Sequence, residues 1–203
     1  MILTDSFFGL IWVYGLKTKD QTLSTLKKWY CDIAPLRTKW KLATLMQDNT
    51  GENRSQEVED YIESIQVQSR YSAAYEQWQD GQPETAIQTL RKLVRSIKTG
   101  SGVNVRFWFH MMVTAANASN VTWKKRLGTT LHRAACGEKK DLFKLPAFGR
   151  RAVMYLEDVR REEPGRFADR GAEGINLGPA IDASTSAYKI YLINDKAIKI
   201  TNC

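Results

Sequence analysis

Between Pro83 and Thr99, apolar residues return every three or four positions, at Ala86, Ile87, Leu90, Leu93, Val94 and Ile97, and Gly100-Ser101-Gly102 follows. This is the helical period, and glycine past the last turn is a helix stop. Arg91, Arg95 and Lys98 fall on a common face of the same segment, with Lys92 nearby. The pattern predicts a helix that docks by one side and presents cations on the other.

The other segments are read in the same way. Met1 to Leu16 is aromatic and poorly periodic, with Phe7, Phe8, Trp12 and Tyr14. It fits a strand or short helix on the core, or an arm docking on a neighbouring subunit, since exposed aromatic patches mark contacts. Gln21 to Gln47 predicts a helix interrupted at Pro35, with Leu23, Leu26, Trp29, Tyr30 and Ile33 inward and Trp40, Leu42 and Leu45 continuing. After the polar run Asp48 to Asn53, Ser55 is placed to cap a helix reaching Gln79. Val103 to Ala116 is apolar nearly all round, which predicts a central buried helix, although its β-favouring start also suits a buried strand. Asn117 to Asn120 breaks that run, and Val121 to Cys136 predicts a further helix closed by Gly137.

Pro146 is placed to open another helix, with Phe148, Val153, Met154, Leu156 and Val159 as its apolar contacts and Pro164 as its end. Gly165 to Ser186 reads as an extended loop. The period then changes: Tyr188 to Ile193, a turn at Asn194-Asp195, and Ala197 to Ile200 predict a β-hairpin. The expected fold class is mainly α, a single helical domain over residues 21–164, with an aromatic docking segment at 1–20 and a loop with a small C-terminal β-hairpin at 165–203. No repeat of solenoid length and no low-complexity tract interrupts it.

Composition narrows the class. With 203 residues, 43% hydrophobic and 10% aromatic, the chain can offset the entropy lost on folding and is expected to be globular. Thirty Lys and Arg against 22 Asp and Glu leave a net charge of +8, which favours polyanionic partners. Cys31, Cys136 and Cys203 are odd in number and lack a CxxC spacing, which argues against a disulfide framework or zinc module and for a reducing intracellular compartment, with a virion as a second setting. The apolar run Phe7 to Leu16 is too short to span a bilayer and lacks the basic flank of a signal peptide.

Candidate chemistry is sparse. His110 lies among Phe109, Met111 and Met112 and reads as a core histidine, while His132 has basic neighbours that suit phosphate contact as well as acid–base work. No Ser, Cys or Thr sits in a nucleophile motif, and Gly171 to Gly178 has neither the spacing nor the ending of a phosphate loop. Glu157, Asp158, Glu162 and Glu163 form a carboxylate cluster, but they alternate with arginines as a solvated, ion-paired helix face does.

Cationic binding is what remains, because neutralising phosphates needs Lys and Arg on one surface rather than a motif. The candidates are Arg91, Lys92, Arg95 and Lys98, then Arg106, then Lys124, Lys125, Arg126 and Arg133, with Trp123 available for base stacking. Phe7, Phe8 and Trp12, with Glu57 and Asp60 of an acidic stretch, are candidate subunit contacts. The expectation is a non-enzymatic, self-associating protein that coats nucleic acid, RNA ahead of DNA, as nucleocapsid and coat proteins do, with neither metal nor cofactor. Two alternatives stand beside it. One is a matrix-like adaptor binding an anionic membrane surface through Phe7 to Leu16; the other is a metal-dependent nucleic-acid-processing enzyme using Glu157 or Asp158.

Overall fold

The computed structural model describes residues 1–47, 55–71, 81–138, 146–155, 170–180 and 187–202. The fold is mixed α/β, which corrects the mainly helical expectation. The chain divides into two compact units, residues 1–89 with 119–140, and residues 90–118 with 141–203.

In the first unit β1 (Ile2–Thr4) and β2 (Ile11–Val13) form an antiparallel hairpin. Its turn is closed by the Asp5 carboxylate, which accepts the Phe8 N–H at 2.5 Å and the Gly9 N–H at 3.3 Å. Gly9 has a φ of +90°, a conformation that disfavours any side chain. α1 (Thr22–Asp32) and α2 (Ala34–Arg37) follow, and Pro35 stands in the first turn of α2, where its missing N–H costs nothing. The helix expected to continue to Gln47 gives way to β3 (Thr44–Gln47), which pairs in parallel with β4 (Gln68–Tyr71).

α3 (Gln56–Ser64) supplies the crossover between them, as a parallel pair requires. It stops well short of Gln79 because Gln66 adopts a φ of +56° and turns the chain into β4. Leu26 and Trp29 of α1, Val58 and Ile62 of α3, and Tyr14 and Val67 build the core of this unit. The expected helix from Val121 instead contains a short hairpin of β5 (Trp123–Lys124) and β6 (Thr129–Thr130), then α6 (Leu131–Cys136). α6 begins where the Thr130 hydroxyl accepts the Arg133 N–H and ends, as expected, at a left-handed Gly137.

α4 (Gly81–Ser101) matches the amphipathic helix of the sequence and contributes its first half to the first unit and its second half to the second. α5 (Trp108–Val121) runs through the expected break at Asn117 to Asn120. The second unit contains a four-stranded antiparallel sheet in the order β10-β9-β8-β7. Its strands are β7 (Arg151–Tyr155), β8 (Gly171–Pro179), β9 (Ala187–Leu192) and β10 (Ala197–Asn202). The C-terminal hairpin is present as β9 and β10, but β7 replaces an expected helix and β8 an expected loop. Val103, Phe107, Met111, Leu177 and Tyr191 form the main core here, and Met154, Tyr188, Ile190 and Leu192 a second cluster.

Candidate functional site

The first unit carries a cleft of about 1490 Å³, lined by the β1–β2 hairpin, α1, α2, β3, β4 and the first turns of α4. Small-molecule sites occupy about 300–1,000 Å³. A cleft of this size suits part of an extended ligand.

Its charged lining is mixed. Arg37, Lys41 and Arg70 provide cations, and Asp5 and Glu84 provide carboxylates. Asp5 uses its Oδ2 in the turn described above. Glu84 is exposed in the first turn of α4, where the helix dipole favours a negative charge, and no hydrogen bond or ion pair engages it among the described residues. Arg37 stacks its guanidinium 3.7 Å from the centre of the Tyr30 ring, which fixes one cation at the end of α2. Beneath the hairpin the Tyr14 hydroxyl donates to Asp32 at 2.6 Å. Burial, that hydrogen bond and the Asp32 charge all push the Tyr14 phenol far above its ordinary range, so it stays protonated and serves as a clamp.

Half of the cations and aromatics expected to bind nucleic acid lie in each unit. Arg91, Lys92, Arg95 and Lys98 are exposed along the second half of α4. Arg106 is exposed in the same unit, its guanidinium 4.7 Å from the Phe107 ring centre and 4.8 Å from that of Tyr191. In the first unit Trp123 is 62% exposed at the start of β5, followed by half-buried Lys124 and exposed Lys125 and Arg126, with Arg133 exposed on α6.

Of the residues expected at subunit contacts, Phe7 is exposed and Phe8 half-buried, while Trp12 packs edge-on against Trp29 with ring centres 6.1 Å apart. Glu57 and Asp60 are exposed on α3, and Asp60 accepts a 2.7 Å hydrogen bond from Gln56. His110 is half-buried in the second unit, and desolvation followed by the Lys189 charge holds its pKa below the ordinary 6.5. His132 places Nδ1 3.3 Å from the Glu138 carbonyl oxygen. Glu157, Asp158, Glu162 and Glu163 lie outside the described residues.

The sequence pattern offered no pointer to the cleft. Lys41, Arg70 and Glu84 belong to segments far apart in the chain and share no local motif. Only the Pro83 position, opening a long amphipathic helix, marked the Glu84 neighbourhood.

No protein-family model matches the chain. Over 169 residues it is 27% identical to the retrovirus-related Pol polyprotein from transposon TNT 1-94 of Nicotiana tabacum, a match covering 83% of this chain and 12% of that protein. The chain thus spans about an eighth of the length of that relative. Among solved structures it is similar to a chain of the simian T-cell lymphotropic virus intasome in complex with the PP2A regulatory subunit B56 gamma, with a TM-score of 0.54 and 16% identity over 99% of this chain and 68% of that one. It is similar also to the HTLV-2 integrase catalytic core domain in complex with magnesium, in a trimeric form, with a TM-score of 0.51 and 16% identity over 66% of this chain and 82% of that one. The catalytic core domain of BIV integrase gives a TM-score of 0.51 and 14% identity over 67% of this chain and 84% of that one.

The fold is therefore that of retroviral integrase catalytic cores. Those domains are catalytic, and this likeness overturns the expectation of a non-enzymatic, nucleocapsid- or coat-like protein. Among the described residues no helix is long and apolar enough to cross a membrane.

The magnesium of the HTLV-2 domain raises the question of a metal here. Magnesium demands an octahedron of oxygens, usually drawn from one or two carboxylates, waters and substrate phosphates. Among the described residues no three His, Cys, Asp or Glu side chains group closely enough to hold an ion, and Asp5 accepts both of its turn hydrogen bonds through Oδ2. The carboxylates that line the cleft among the described residues are those of Asp5 and Glu84.

Proposed function

We propose that this chain is the core of a nucleic-acid-processing enzyme of the retroviral-integrase and transposon kind, acting on DNA strands. The observation that carries the reading is the integrase-type fold, which extends over 99% of the chain in the intasome comparison. The 27% identity with a transposon polyprotein and the net charge of +8 support it. The cleft of the first unit is the proposed site. Arg37, Lys41 and Arg70 would meet phosphates there, and Glu84 is the carboxylate assigned to the reacting phosphodiester. Asp48, which lies outside the described residues, follows the cleft-lining Gln47 in sequence and is the second carboxylate we assign.

The exposed cations Arg91, Lys92, Arg95, Lys98, Arg106, Lys124, Lys125, Arg126 and Arg133, with Trp123, are proposed to hold flanking DNA, a sequence-independent and salt-sensitive role. Self-association belongs to the same reading and is supported by the trimeric form of the HTLV-2 domain.

The test incubates purified protein with end-labelled DNA duplexes and magnesium or manganese. Nicked or joined strands are expected, and they should disappear in Glu84→Gln and in Asp48→Asn at unchanged circular dichroism. Full activity in Glu84→Gln, or no metal-dependent product from the unmutated protein, would overturn the proposal.

A further inference from the structure

Three aromatic rings meet at the edge of the cleft where a soluble surface would ordinarily hide or disperse them. Phe7 and Phe8 contact edge to face with ring centres 4.8 Å apart, Phe8 and Trp40 with centres 5.2 Å apart, and Phe7 and Trp40 are tilted at 6.1 Å. Phe8 is the half-buried member beneath. The other two remain open, Phe7 at 69% and Trp40 at 47% exposure. All three line the cleft.

The rings are also held in place. The turn that presents Phe7 is fixed by the Asp5 carboxylate on the Phe8 and Gly9 N–H groups. The Trp40 indole N–H donates to the Ala135 carbonyl at 2.9 Å, and the ammonium of neighbouring Lys39 donates to the Cys136 carbonyl. An exposed tryptophan tethered by its own N–H has its ring plane set before any ligand arrives, so little rotamer entropy is lost on contact.

What covers the rings follows from the charges around them. Lys41 is the next residue after Trp40, and Arg37 and Arg70 line the same cleft. Flat apolar faces bordered by cations match a polyanion that itself carries flat faces, which is the recognition chemistry of single-stranded nucleic acid.

We propose that Phe7 and Trp40 form a stacking platform for an unpaired base at the end of a DNA strand lying in the cleft. The inference rests on the DNA-processing reading above and adds to it a specificity: frayed or overhanging ends over blunt ones. Every base has a stacking face, so the platform selects unpairing and not sequence. Stacking on an aromatic side chain contributes about 1–3 kcal/mol per base, and about 1.4 kcal/mol is tenfold in affinity.

The experiment measures binding of three labelled duplexes without added metal: blunt, with a short single-stranded overhang, and with the same overhang made abasic. The unmutated protein should hold the overhang about tenfold more tightly than the blunt end, and the abasic overhang like the blunt one. Phe7→Ala should erase that difference by weakening the overhang toward the blunt-end value, and Phe7→Tyr should retain it. The platform is overturned if the abasic overhang binds as well as the base-bearing one, or if Phe7→Ala keeps the full preference. It is overturned in favour of a subunit contact if Phe7→Ala lowers the mass seen by light scattering and leaves the preference intact. Failure of the underlying reading looks different: no duplex is then bound and no metal-dependent product forms.

Discussion

The side chain of Asn120 pairs with the backbone of Ile11 as a neighbouring strand would. Its Oδ1 accepts the Ile11 N–H at 2.9 Å and its Nδ2 donates to the Ile11 carbonyl at 2.8 Å. Both residues are buried, and β2 has β1 on its other side, so one amide completes the edge of a two-stranded hairpin. Asn120→Leu would leave a buried donor and a buried acceptor unpaired. The expected loss is about 2–4 kcal/mol, read as a lower urea midpoint, and Asn120→Asp should also destabilise because it keeps the acceptor but loses the donor. Stability unchanged in Asn120→Leu would mean that the hairpin edge finds water instead.

Ile62 is 1% exposed in the core built by α1 and α3. Ile62→Ala removes apolar contacts there and leaves a cavity that rigid neighbours fill only in part. A cost of about 2–5 kcal/mol is expected in denaturant titration, against less than about 1.5 kcal/mol for Ile62→Val.

Gly178 has a φ of +94°, and a Cβ built on it would stand 2.5 Å from the Thr114 hydroxyl oxygen. Gly178→Ala therefore meets two separate obstacles, backbone strain and a collision. Thr114→Ala removes only the second. In a double-mutant cycle the pair should be less destabilised than the sum of the singles, with about 1–2 kcal/mol of strain remaining. Strict additivity would show that the Thr114 side chain simply rotates away.

His110 and Lys189 make stability depend on pH. Burial first and the Lys189 charge second hold the folded His110 pKa below 6.5, and burial lowers Lys189 as well. An unfolded chain then binds more protons than the folded one as the pH falls through about 6.5, so stability declines with acidification in that window. The urea midpoint should fall between about pH 7.5 and pH 5.5, His110→Gln should flatten that fall, and Lys189→Met should reduce it. A profile identical in His110→Gln would assign the acid sensitivity to other groups.

Local periodicity made α4 readable, because Ala86 to Ile97 repeats at 3.6 residues whatever packs against it. It also gave the C-terminal hairpin, where alternation and the Asn194-Asp195 turn agree. β3 was hidden because Leu42 and Leu45 sit at a helical spacing that extends the α1 pattern, and a four-residue parallel strand is defined by its distant partner β4. β8 was hidden for a different reason. A Cβ at Gly174 would come within 2.5 Å of the Ile190 side chain and 2.6 Å of the Tyr191 carbonyl oxygen, so the glycine that looks like loop composition permits the close approach of β9. The cleft was illegible because Lys41, Arg70 and Glu84 converge through the chain's topology alone. The aromatic opening segment marks Phe7, Phe8 and Trp12 as candidate contacts, whereas the helical spacing of Trp40 places it with the core, since nothing local distinguishes a tethered surface tryptophan from a buried one.

The tether of Trp40 has a meaning for synthesis. Its acceptor on Ala135 is encoded ninety-five residues downstream. At a translation rate of about 5–20 residues per second, that carbonyl is made roughly 5–20 s after the indole. Over that interval the nascent chain carries Trp40 without its acceptor, so the plane of the ring is set only once the segment through Ala135 has been made.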